Sequence, residues 1–157
     1  MKLFQIFLLS LLIALSSCTE KDDNTIVDFA TELRQNDEII VTNENTFFLT
    51  SYLWRDFMPI AEENGSTLMC VVHLIEQDSL NIPNSLELRK IYIINGNNVW
   101  YSDIEGITKE NTYKIRGGVG GGPKWGPNIK VDVICEFTIE EKIYKILLKS
   151  QKIEATY

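Results

Sequence analysis

The chain has 157 residues, 45% of them hydrophobic, and sets 15 basic side chains against 22 acidic ones for a net charge of −7. The excess of acid argues against nucleic acid as a partner and against electrostatic adhesion to anionic lipid, while the apolar content is that of a globular chain and not of a disordered one. One histidine, His73, and three cysteines leave too few ligands for most zinc sites, so neither a metal nor a cofactor is expected.

The N-terminus opens with Lys2 and a mostly apolar run from Phe4 to Leu15. That run is shorter than the ~20 residues a membrane-crossing helix needs and has the proportions of a signal-peptide core. It ends in Leu15-Ser16-Ser17-Cys18, which resembles the lipobox of bacterial lipoproteins. The resemblance implies cleavage before Cys18, lipid on its thiol, and a membrane partner held through that lipid. Two or three acyl chains anchor a protein stably where one is marginal. The Lys21-Asp22-Asp23 that follows resembles the export signal that carries lipoproteins of Bacteroidota to the outer face of the outer membrane. The localisation implied is the outer membrane, lipid-anchored, at the cell surface.

This reading divides the chain into a signal peptide at 1–17, a lipidated cysteine and tether at 18–37, and a folded domain at 38–157. The leader holds one base, Lys2, and no acid, so 14 bases face 22 acids in the mature chain. About 140 residues suffice for one domain with a real core. In the tether, Ile26, Phe29, Ala30 and Leu33 fall at helical spacing behind Thr25 and Asp28, so a short helix and an extended lead-in are both open.

From Glu38 the composition turns to β-branched and aromatic residues. Strands are expected at Ile39 to Val41, Thr46 to Trp54, Ser66 to Glu76 and Leu86 to Ile94. The third of these is apolar on both parities, as a strand covered on both sides would be. Asn95-Gly96 marks a hairpin into Val99-Trp100-Tyr101. A strand at Thr112 to Arg116 leads into an expected glycine-rich loop, 117–128. Ile129, Val131, Val133, Cys135, Phe137 and Ile139 then alternate with polar residues, with Ile134 the one break. Strands at Lys142 to Lys149 and Lys152 to Tyr157 close the chain. Roughly seven to nine short strands with frequent turns indicate an all-β fold, a β-sandwich.

Cys70 and Cys135 share parity with core residues and lie 65 positions apart. Sequence leaves a disulfide and two separate buried thiols equally open. The spacing resembles the inter-sheet pair of immunoglobulin domains, which implies an immunoglobulin-like sandwich. The partner tryptophan of that family is missing, Trp100 comes too late, and Val133 stands where its tyrosine would be.

Two clusters are candidate binding sites. Trp54, Arg55, Asp56, Phe57 and Met58 precede Pro59, and Trp and Arg are typical anchors of protein interfaces; as structure, the apolar members fill the core. The loop from Arg116 to Asn128 carries Lys124 and Trp125 between Pro123 and Pro127. It is either an exposed aromatic on a pliable loop or a connection whose Trp125 folds back over the core. It is not a P-loop, because Trp125 follows the lysine and no helix does. These clusters resemble small secreted bacterial β-sandwich proteins, a likeness that brings no activity with it.

Catalysis has little support: the lone imidazole lies in an apolar strand, and no pair of carboxylates is marked out among the acids. The expected function is therefore non-enzymatic, a lipid-anchored module that binds a glycan or a protein. The stretch Gly118-Val119-Gly120-Gly121 resembles a loop of chagasin-type inhibitors of cysteine proteases, and so implies an inhibitor as the alternative, although the family's other two loops are absent. A hydrolase is the weaker alternative.

Overall fold

The computed structural model describes residues 28–157. Cys18 and Lys21-Asp22-Asp23 lie outside these residues. Among the described residues, no helix is long and apolar enough to cross a membrane.

The fold is all β. The strands are β1 Ile39–Val41, β2 Thr46–Asp56, β3 Leu68–Glu76, β4 Glu87–Asn95, β5 Asn98–Asp103, β6 Glu105–Asn111, β7 Lys114–Gly122, β8 Lys130–Ile139 and β9 Lys142–Thr156. They form one mixed sheet in the order β5-β4-β8-β9-β2-β3-β7-β6, with β1 added beside β2. The sheet curls so that two halves face each other, sandwich-fashion. Half A holds β1, β2, β3, β7 and β6; half B holds β5, β4, β8 and most of β9.

Between the halves lies one core. Phe47, Leu49, Leu53, Leu68, Cys70, Val72 and Leu74 from half A meet Ile91, Ile93, Val133, Cys135, Phe137 and Ile146 from half B. Phe47 and Phe137 meet edge to face across it at 5.7 Å, the preferred geometry for paired rings. β2 and β3 bury alternate residues, as the period of two requires.

The chain passes from one half to the other at two corners, one within strand β9 and one between β5 and β6, as packed sheets do. The residues that sequence reading assigned to two closing strands form the single β9. It pairs with β8 through Lys152, then turns to run parallel to β2 from Ile153 to Thr156. The bend falls where the β8–β9 register shifts between Val131 and Val133 and where Ser150 takes φ 57°. Asp132 secures it, one carboxylate oxygen accepting the Ser150 amide at 3.0 Å and the other accepting Arg34 Nε at 2.7 Å.

The second crossing runs from β5 to β6 through Ile104, whose amide donates to the Arg89 carbonyl at 3.0 Å. Here the structure corrects the reading of 117–128 as a loop. Gly117 to Gly122 belong to β7, which pairs with β3 from Val72 opposite Gly117 to Leu68 opposite Gly122, with Gly120 and Gly121 at a register shift. Two of the glycines, Gly117 and Gly122, are a packing requirement. A Cβ on Gly117 would lie 2.3 Å from Ile104 Cγ2 and 3.1 Å from Leu88 Cδ1, and one on Gly122 would lie 3.0 Å from Leu68 Cβ. Bare backbone at β7 is what lets the crossing strand lie against it.

The outer face of half B has its own small core. Helix α1, Phe29–Leu33, lays Ala30 and Leu33 over Tyr92, Ile94, Ile134 and Leu147. Tyr92, Ile134 and Leu147 stand in one cross-strand row, which explains the break in alternation at Ile134: that side chain points outward, under the helix. The segment expected to be tether is therefore docked from Phe29 onward, and the folded unit includes α1. The Leu147 amide donates to the Asp37 carbonyl at 2.9 Å and continues the attachment.

Gly117→Ala should lower stability by about 1–3 kcal/mol, the usual cost of overpacking. Gly120→Ala should be neutral or slightly stabilising, because a Cβ there meets nothing within 4 Å. Urea unfolding of both variants checks the contrast.

Candidate binding face

While α1 covers half B, the outer face of half A has no cover among the described residues. The period of two sends Phe48, Thr50, Tyr52 and Trp54 outward from β2 and their cross-strand partners Ile75, His73, Val71 and Met69 outward from β3. The next strand continues these rows with Lys114, Arg116 and Gly118. Both parities of β3 are thus apolar because one faces the core and the other this open face. The outward residues Met69, Val71, His73 and Ile75 are only half-buried, which corrects the reading of β3 as a strand covered on both sides.

At the centre Tyr52 and Trp54 stack, with centroids 5.3 Å apart and planes 24° from parallel. Two positions apart on one strand, they share a face and reach each other. Tyr52 is 49% exposed. Beside them is a polar rim. Glu110 approaches His73 Nε2 at 3.3 Å and Lys114 Nζ at 2.9 Å. Partial burial lowers the His73 pKa from its ordinary value and Lys114 lowers it further, while Glu110 pulls the other way. Glu110 itself is lowered, first by its hydrogen bond with Lys114. Arg116 lies in register with His73 and makes no ion pair with any described residue.

Of the five binding residues proposed from sequence, Trp54 and Arg116 lie on this face. The other three form a different cluster at one end of the sandwich. Arg55 is not a surface anchor: it is 3% exposed. Its Nε donates to the Ser66 carbonyl at 2.8 Å, and Nη1 donates to the carbonyls of Gly126 at 2.7 Å and Lys124 at 3.1 Å. Nη2 donates to the Asn64 carbonyl, and the guanidinium stands 5.0 Å from the Phe57 ring centroid. One planar fork therefore ties the 57–67 connection to the 123–129 connection. Lys124 is engaged by Glu62 at 2.8 Å, which lowers the Glu62 pKa through that hydrogen bond. Trp125 is half-buried and packs against the core, which is the folded-back arrangement.

Cys70 on β3 and Cys135 on β8 face the core from opposite halves as free, buried thiols. Burial pushes both pKa values up, Cys135 to about 12, which keeps them protonated and unreactive. No grouping of three or more potential metal ligands occurs among the described residues.

Sequence reading missed Tyr52, Met69 and Val71. The available signal was the second apolar parity of β3, which marks an apolar outer face as readily as a buried one. No protein-family model, no curated protein and no solved structure matches the chain.

Adjacent residues 54 and 55 should respond oppositely to truncation. Arg55→Ala removes the donors of four partly buried carbonyl hydrogen bonds and should cost about 3 kcal/mol or more. Trp54→Ala, at a half-buried ring, loses a ring pair worth about 0.5–1.5 kcal/mol beyond the area it buries and should cost less than Arg55→Ala. Equilibrium unfolding of the two variants measures the difference.

Proposed function

We propose that the chain is a lipid-anchored protein of the outer cell surface whose half A face docks a protein partner. The observation that carries this reading is the asymmetry of the two outer faces. Half B is roofed by α1, the segment through which an anchor on Cys18 would enter the domain. Half A, turned to the opposite side, leaves Phe48, Tyr52, Trp54, Met69, Val71 and Ile75 partly open.

The composition of the face supports a protein as the occupant. Aromatic residues, Met and Arg are the types enriched in interface cores and hot spots, and an apolar patch with a polar rim is the usual form of a docking surface. Met69, Val71 and Ile75 complement aliphatic side chains, whereas a glycan would use only the rings. The inhibitor alternative would have to act from Gly118 to Gly121 within strand β7, where Gly120 and Gly121 fall at the register shift against β3. This reading assigns the protein no catalysis.

A photo-crosslinking amino acid placed at Tyr52, in intact cells of the native host, should yield one discrete protein adduct. Trp54→Ala or Arg116→Ala should weaken that adduct at least several-fold. The same group at Ile143, exposed on the half B side, should yield none. Equal adducts from both positions, or no adduct at Tyr52, would contradict the proposal.

A further inference from the structure

Three connections meet at the end of the sandwich opposite the Arg55 cluster: the β1–β2 turn, the 80–84 segment and the β6–β7 turn. They enclose an open cleft of ≈ 760 Å³, within the roughly 300–1,000 Å³ typical of small-molecule sites. A second hollow of ≈ 540 Å³ adjoins it and shares Glu44, Asn45 and Pro83.

We propose that this cleft binds the end of a neutral carbohydrate chain. It is a separate site and does not depend on the half A face being an interface.

The walls are held in place before any ligand arrives. Buried Glu76, 1% exposed, accepts the Thr46 amide at 3.2 Å and the Leu80 amide at 2.6 Å, joining two of the three connections. The Ile82 amide donates to the Thr112 carbonyl at 2.8 Å and joins the third. Such preorganisation lowers the entropy lost on binding.

Asn45 is the group that calls for a ligand. It is 6% exposed, and its backbone is fully used within its own turn. Its carbonyl accepts the Thr42 amide at 2.8 Å and the Thr42 hydroxyl at 3.0 Å, and its amide donates back to that hydroxyl at 3.0 Å. Its side chain makes one bond, from Nδ2 to the Asn81 carbonyl at 3.5 Å, the outer limit of a hydrogen bond. Oδ1 accepts from no described residue. No fully buried side-chain polar atom among the described residues lacks a partner, so Oδ1 keeps some exposure, and Asn45 lines both the cleft and the hollow beside it.

The chemistry of the lining selects the ligand class. Asn81, Asn84, Asn111 and Thr112 join Asn45 around the cleft. Amides both donate and accept, which matches a hydroxyl group. Lys109 lies 3.4 Å from Asn84 Oδ1, and Glu44 is the one acid in the lining, so charge balances. An anion would find the one cation, Lys109, offset by Glu44, and a purely apolar ligand would leave the amides unpaired. Leu80 and Pro83 supply apolar surface for the C–H face of a sugar ring.

The test uses the full-length lipidated protein in phosphatidylcholine nanodiscs. It is titrated with neutral tetrasaccharides of glucose, mannose and xylose and with tetragalacturonate. At least one neutral tetrasaccharide should bind saturably, and tetragalacturonate should bind at least about tenfold more weakly. Asn45→Ala should weaken binding about tenfold, the equivalent of one lost hydrogen bond. Leu80→Arg, at a position 49% exposed and therefore tolerant, should block the cleft and report even if Asn45→Ala fails to fold. Trp54→Ala should leave sugar binding unchanged. Failure of every neutral sugar to bind, equal binding of tetragalacturonate, or binding that survives Leu80→Arg would overturn the proposal. Loss of binding in Trp54→Ala alone would assign the sugar to half A, and would overturn both this site and the protein-docking reading of that face.

Discussion

The contact of Ile104 with the bare backbone of Gly117 is the constraint on which the architecture depends. A curled sheet has two free ends, and exposed edges invite pairing with other chains. Here the end strands, β5 and β6, are consecutive in sequence and meet through one residue. That residue must lie on β7, and a side chain at 117 would occupy its place. Gly117 therefore serves closure of the sandwich. The corner of β9 does the same work on the other side, where Asp132 holds both the bend and the Arg34 end of the helical segment.

Much of the fold was legible because side chains report their surroundings. The alternation from Ile129 to Ile139 matched β8, and Asn95-Gly96 marked the β4–β5 turn, with Gly96 at φ 59°. Legibility failed where side chains were uninformative. A run of glycines has no parity to read and carries the composition of a loop, so the outer part of β7 was lost. Strand β6 is exposed along its whole length and has no apolar stripe. Ile134 looked like an irregularity because its partners, Ala30 and Leu33, lie about a hundred residues earlier, in a stretch that composition assigned to the tether.

The candidate residues divide on the same principle. Trp54 and Arg116 were found because Trp and Arg are conspicuous, and both lie on the open face. Arg55 was conspicuous for the same reason and proved structural. Its acceptors are backbone carbonyls as many as 71 residues away, and no side chain in the sequence announces them. The end cleft was invisible for a related reason. Its asparagines read individually as turn residues, and only the fold brings them to one place. The domain thus offers two surfaces of different chemistry. One is an aromatic and aliphatic face suited to a protein, and the other is an amide-lined end suited to sugar hydroxyls.

Closure through β7 is tested most directly by amide hydrogen exchange. If Gly117 to Gly122 form a strand paired with β3 and pressed by the β5–β6 crossing, amides of this stretch that donate to β3, together with the Ile104 amide, should exchange as slowly as those of β3 itself. Exchange as fast as in the 58–64 connection would show the glycine-rich stretch to be a free loop, and the closed sandwich built on it would be wrong.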